Sequence, residues 1–257
     1  MFDDSDSEEP LPLLPDEPED FLPPPPPATT ITHALTTVPY ETLTLRLVGH
    51  NPLWGHHLWN AGLVISKYLE TNAARLVQGK RVLELGAGAG LPSLTCALRG
   101  AAEVVVTDYP DAPLIDNLRI NISSLPTRSS TSPITAEGYL WGNTLAESMA
   151  TPFDVVILSD LLFNHSEHAK LLKTVQLTLR KSRDARALVF FTPHRPWLLE
   201  KDLEFLKNAE TELEGRFTVE KVLETLLERP MFEEDKGDRD LRRTVYGYEL
   251  SWADLAK

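Results

Sequence analysis

Apolar residues along this chain come in two rhythms. Short, nearly continuous apolar runs occupy residues 81–85, 103–107, 138–141, 153–159 and 185–192, as expected of strands buried on both faces of a parallel sheet. Between them, three- and four-residue spacing over 91–99, 112–123, 166–181 and 196–213 predicts helices. Residues 217–224 and 245–252 read as two further strands with no helix between them. The expected class is therefore α/β: a seven-stranded, doubly wound sheet ending in a C-terminal antiparallel hairpin. Upstream, residues 43–48 alternate apolar positions with Thr and Arg as a short strand. Leu58, Ala61, Ile65, Leu69, Ala73 and Leu76 place one helix over residues 58–78, stopped by Gly79. Residues 228–243, dense in charge of both signs around Gly237, read as a mobile solvent loop.

The first 27 residues break the pattern, with nine prolines, nine acids and no base. Such a segment cannot bury enough apolar area to offset its conformational entropy. Residues 1–27 are expected to form a disordered, acidic, Pro-rich tail, and residues 28–257 one folded domain. The tail changes the meaning of the net charge of −13, because the remainder carries 29 acids against 25 bases, a near balance. No basic stripe is present to neutralise phosphates, so nucleic acid is not an expected partner. No long apolar stretch, basic-then-apolar leader or lipidation motif argues for a membrane. Cys96 is the one cysteine and falls in a predicted helix beside Leu94, Ala97 and Leu98, as a small core residue. A monomer in a reducing, cytoplasmic compartment is expected.

Residues 84–90 read Glu-Leu-Gly-Ala-Gly-Ala-Gly, so that Gly86, Gly88 and Gly90 alternate between a strand and a helix. Backbone without Cβ takes positive φ and lets a ligand lie against its N–H groups, at the positive end of the following helix. A dinucleotide fingerprint needs glycines at relative positions 1, 3 and 6, and the sixth position here is Leu91. The E-x-G-x-G-x-G order points instead to S-adenosyl-L-methionine. Asp108, at the tip of the next strand, is spaced to accept hydrogen bonds from ribose hydroxyls, with Pro110 and Asp111 left to start the next helix. Ligands of open α/β sheets lie beyond the carboxyl ends of the strands, which also nominates Trp141, Ser159, Asp160, His194 and Arg195. Trp141 could stack on adenine, and Trp54 could close the cofactor near its sulfonium.

His165 and His168 flank Glu167, but not in the helical His-Glu-x-x-His arrangement, and no metal site is expected. Methyl transfer to an amine is an in-line displacement that needs an aligned, neutral lone pair and no covalent intermediate. Asp160 is the candidate catalytic residue, orienting the amine by accepting an N–H bond. Its charge would raise that amine's pKa, so general base catalysis is not assigned to it. Deprotonating a lysine of reference pKa near 10.4 at neutral pH costs about 4.6 kcal/mol, against about 1 kcal/mol for an α-amine near 7.8.

Residues 52–62 (Pro-Leu-Trp-Gly-His-His-Leu-Trp-Asn-Ala-Gly), the glycine loop, 107–111 (Thr-Asp-Tyr-Pro-Asp), 159–165 (Ser-Asp-Leu-Leu-Phe-Asn-His) and 192–202 (Thr-Pro-His-Arg-Pro-Trp-Leu-Leu-Glu-Lys-Asp) carry a resemblance. Together they resemble the fungal protein N-terminal and lysine N-methyltransferases of translation elongation factor 1-alpha. These belong to methyltransferase family 16 and were earlier described as nicotinamide N-methyltransferase-like. The resemblance spans residues 21–252. It implies a Rossmann-like methyltransferase sheet and S-adenosyl-L-methionine as cofactor, contacted by Trp54, Gly86, Ala87, Gly88, Asp108, Trp141 and Ser159. It further implies the N-terminal glycine and adjacent lysine of elongation factor 1-alpha as substrate. The older description leaves a small-molecule enzyme acting on nicotinamide or a similar pyridine as the alternative. Lysine enzymes of this family carry Asp-x-x-Tyr after the fourth strand; here the stretch Asp160-Leu-Leu-Phe163 lacks the hydroxyl.

Overall fold

The computed structural model describes residues 26–37, 42–126, 131–211 and 216–255, so the expected tail lies almost wholly outside them. The chain opens with a hairpin, β1 (Thr29–Ala34) against β2 (Thr42–Leu47). The β1 strand went unread because five of its six residues, TTITHA, are threonine, histidine or alanine and most lie exposed. Glu70 ties the hairpin's end to the domain, accepting from the amides of Thr36 and Thr37 at 2.8 and 2.9 Å. Asn117 and Asn121 both donate to the carbonyl of Arg46, fixing the other end.

The single helix expected over residues 58–78 is two, α1 (Asn60–Thr71) and α2 (Ala73–Leu76), parted at Asn72. There follow β3 (Arg81–Leu85), α3 (Leu91–Leu98), β4 (Glu103–Asp108), α4 (Ala112–Ser123), β5 (Ile134–Gly138), β6 (Val155–Ser159), α5 (His168–Thr178), β7 (Arg186–Phe191), α6 (Leu199–Thr211), β8 (Phe217–Leu226), a turn of helix α7 (Arg239–Arg242), and β9 (Thr244–Trp252). The seven strands β3–β9 form one sheet in the order β5-β4-β3-β6-β7-β9-β8. Pairing is parallel from β5 to β7, and antiparallel where β9 joins β7 and β8. This is the expected doubly wound sheet with a C-terminal hairpin.

Alternation along the strands sorts the core into two layers. Leu83, Leu85, Val156, Leu158, Val189 and Phe191 face α5 and α6, with Phe205 and Leu206. Val82, Val104, Val155, Ile157, Leu188 and Phe190 face α1 and α3, with Ile65, Leu69 and Leu94. Burial of these side chains at about 25 cal/mol per Å² is what holds the helices to the sheet. The order reverses on either side of β3, so a crevice opens beyond the carboxyl ends of β3, β4 and β6.

One expectation is corrected and another narrowed. The third sheet strand is Ile134–Gly138, not residues 138–141: it follows β4 in register from Val104↔Ile134 to Asp108↔Gly138, and the apolar run Tyr139–Trp141 lies past its end. Residues 228–243 are solvent-exposed over 233–240, as expected, but the segment is anchored to the domain on both sides of that stretch. Arg242, 5% exposed, donates to the carbonyl of Phe232, Asp238 caps α7, and Phe232 packs on His57 and Trp59.

Candidate functional site

The glycine loop is shaped by both torsion and space. Gly86 and Gly88 each have φ +57°. At Gly86 a Cβ would stand 2.6 Å from the Leu161 side chain and 3.2 Å from the Trp141 ring, so only glycine fits. At Gly88 nothing lies within 4 Å of that position, and the loop there faces open space. The Gly88 amide donates to Asp108 Oδ2 at 2.6 Å, and the Tyr109 amide to Asp108 Oδ1 at 2.7 Å. The acid at the tip of β4 therefore clamps the loop at the end of β3. Burial, partly offset by these two amides, raises the pKa of Asp108.

Glu84 is fully buried beneath the loop. One oxygen accepts from the Ser93 amide at 2.9 Å and from its hydroxyl, while Oε1 has no partner. Burial pushes its pKa up to about 8.

A cavity of about 630 Å³ opens above these groups. Gly86, Ala87, Gly88, Asp108, Trp141, Ser159, Asp160 and Trp54 all line it, so every residue assigned to the cofactor or to catalysis is brought to one place. Trp141 stands three residues past β5. Trp54 is a non-glycine residue at φ 64° and is 49% exposed; its ring stacks on His57 with centroids 6.2 Å apart, and its carbonyl accepts from Trp59 Nε1 at 3.2 Å. Asp160, at φ 52° and 5% exposed, is the other such residue among the described residues. Its oxygens accept from the amides of Ala61 at 3.0 Å and Thr192 at 2.7 Å.

His194 does not line the cavity; it stands 3.5 Å from Asp160 and packs edge-on against Trp59. Arg195 does line it, donating to the carbonyl of Phe163 at 2.6 Å. His165 meets Asp202 at 2.7 Å and His168 the carbonyl of Leu162 at 2.8 Å. Among the described residues no group of three or more His, Cys, Asp or Glu is placed to hold a metal ion. No helix among them is long and apolar enough to cross a membrane.

Comparison with known proteins decides the family. The model of the lysine methyltransferase family 16 matches residues 40–212. The protein N-terminal and lysine N-methyltransferase efm7 of Emericella nidulans is 45% identical over 249 residues, covering 93% of this chain and 94% of that one. The Schizosaccharomyces pombe protein of the same name is 45% identical, covering 92% and 93%. The chain belongs to this methyltransferase family. Among solved structures, a Thermus thermophilus 16S rRNA methyltransferase in complex with AdoMet and guanosine superposes with TM-score 0.53 at 17% identity. It covers 90% of this chain and 52% of that one, a likeness of fold alone.

All the residues that line the cavity, Pro52 to Arg195, fall inside the family-matched span, whereas the strap 228–243 that rests on its rim lies beyond it. Lining residues that were not read as site residues from the sequence include Glu84, Tyr109, Leu140 and Trp59. Glu84 had a signal, since it is the acid of the E-x-G-x-G-x-G loop. Tyr109 could have been found by reading one residue further past the strand that ends at Asp108, whereas Leu140 was hidden inside the run 138–141 read as strand.

Proposed function

We propose that this chain transfers methyl groups from S-adenosyl-L-methionine to the N-terminal glycine amine and adjacent lysine of translation elongation factor 1-alpha, in the cytoplasm. The observation that carries the reading is its likeness to relatives named for both kinds of acceptor over more than nine-tenths of either chain. The substrate itself rests on the sequence resemblance.

The residues present fit the cofactor. The open cradle at Gly88 leaves room for a ligand chain, and Asp108 keeps a second lone pair on each oxygen for ribose hydroxyls. The unpartnered Oε1 of Glu84 is left to hydrogen-bond a bound polar head group, and Trp141 and Tyr109 offer flat faces for a base. When bound, the cofactor supplies a methyl group on a sulfonium. The chain's own part is alignment: to bring a neutral amine to within about 3–3.5 Å of that methyl and to keep water away. Leu53, Trp54, Tyr109 and Phe163, all about half exposed at the mouth, offer an open apolar rim to a peptide. A pyridine would be better served by an enclosed slot.

Incubation with labelled cofactor and either nicotinamide or a whole-cell protein extract tests the reading. A labelled elongation factor, with mass spectrometry placing the methyl groups on residue one and the next lysine, is the expected result. Labelled nicotinamide with no labelled protein would overturn it.

A further inference from the structure

Helix α1 begins beside the cavity without a cap of its own. Its N-cap residue is Trp59, which makes no side-chain cap hydrogen bond, and its first turn holds no acid. The first four amides of a helix have no partner within it, and an uncapped N-terminus forgoes about 1 kcal/mol. The Ala61 amide, in this first turn, is nonetheless bonded: Asp160 Oδ2 accepts it at 3.0 Å, from a residue 99 positions away. The other oxygen accepts from Thr192, just past β7, at 2.7 Å. Asp160 reaches both from a left-handed backbone, φ 52°, a conformation that costs free energy in any residue but glycine and persists where the surroundings hold it.

We infer that Asp160 is a positioning residue: it caps α1 from across the sheet and so sets the cavity wall that carries Trp59 and Trp54. The wall follows from the cap by direct contacts. Trp59 precedes the capped turn, and its Nε1 holds the Trp54 carbonyl at 3.2 Å. Gly62, in the same turn, lies against Ser159, whose Oγ would be 3.7 Å from a Cβ there. A carboxylate at a helix N-terminus is also favoured by the helix dipole. With one amide on each oxygen and 5% exposure, Asp160 serves the backbone on two sides before any amine arrives in the cavity. This inference rests on the proposed cofactor site and not on the identity of the acceptor.

Asp160→Asn tests it. Asparagine keeps the shape but offers one acceptor and one NH2, so a donor must face either Ala61 or Thr192. The expected result, measured without any peptide, is a cofactor Kd raised by about 10- to 100-fold, the worth of a lost charge-assisted bond. It comes with greater quenching of tryptophan fluorescence by acrylamide in the cofactor-free protein as the Trp54–Trp59 wall loosens. A Kd within about twofold of wild type overturns the inference, whether turnover falls or not; with lower turnover it would return Asp160 to the amine. Should the variant not fold, hydrogen exchange of the wild-type protein decides. An Ala61 amide protected like those of β6 supports the cap, and one that exchanges as fast as an ordinary first-turn amide overturns it. Wild-type protein that binds cofactor but methylates no protein would sink the proposed function and leave this inference standing.

Discussion

Each oxygen of Asp108 accepts one backbone amide, from Gly88 and from Tyr109, and this makes the residue a clamp before it is anything else. The ribose role adds to the clamp without replacing it, since a carboxylate has lone pairs for both. Asp108→Ala is expected to weaken S-adenosyl-L-methionine binding by roughly 1–3 kcal/mol in calorimetry, through lost ribose bonds and a loosened loop. Unchanged affinity in a folded variant would leave only a dispensable clamp. Glu84 gives a prediction of opposite character. Its pKa is raised by burial to about 8, above the ordinary carboxylate value of 4.5, so the folded state holds a proton that the unfolded state releases between those values. Stability from this group is complete in acid and declines as pH rises through that window. Glu84→Gln removes the titration. Melting curves from about pH 5 to about pH 8.5 should show the variant gaining on wild type as pH rises. Parallel curves would mean that Glu84 is ionised in the fold.

At the scale of elements, what could be read along the chain is what is locally encoded. Strand β3 and helix α4 were expected within their observed bounds because an apolar run or period, a glycine or a proline marks each end. The β5 strand was displaced because it lies at the sheet edge, where Ile134, Ala136 and Gly138 show little apolar contrast and Tyr139–Trp141 show more. The strap 228–243 was legible as solvent-facing over 233–240 but its anchor was not: charge patterning signals solvent, yet Arg242 is buried and bonded to the backbone at Phe232. The candidate site was legible wherever a residue follows a strand directly. The α1 cap was not, since Ala61 and Asp160 are joined only by the fold. If the strap is an ordered element held by Phe232 on His57 and Trp59, then Phe232→Ala should lower stability by about 1–3 kcal/mol. Limited proteolysis within residues 228–238 should quicken at the same time. Unaltered cleavage would show that the buried Arg242 alone secures the strap.

For the molecule as a whole, one cavity of about 630 Å³ is proposed to serve two amines of very different basicity. The site offers no group assigned to remove a proton, with Asp160 engaged by two amides and Glu84 buried beneath the loop. The neutral fraction of each amine in solution should then govern its rate. An α-amine of pKa near 7.8 is mostly neutral above about pH 8, while a lysine near 10.4 gains about tenfold in neutral fraction per pH unit up to its own pKa. On a peptide with both acceptors, the ratio of lysine to N-terminal methylation should therefore rise about sixfold between pH 8 and pH 9, and about sevenfold more toward pH 10. N-acetylation removes the lone pair at residue one, so the blocked peptide should accept no methyl there and keep the steep pH dependence at lysine. Mass spectrometry of single-turnover products checks both. A ratio flat with pH would mean that the cavity itself takes the lysine's proton, and the search for that group would begin at Glu167, a carboxylate that also lines the cavity.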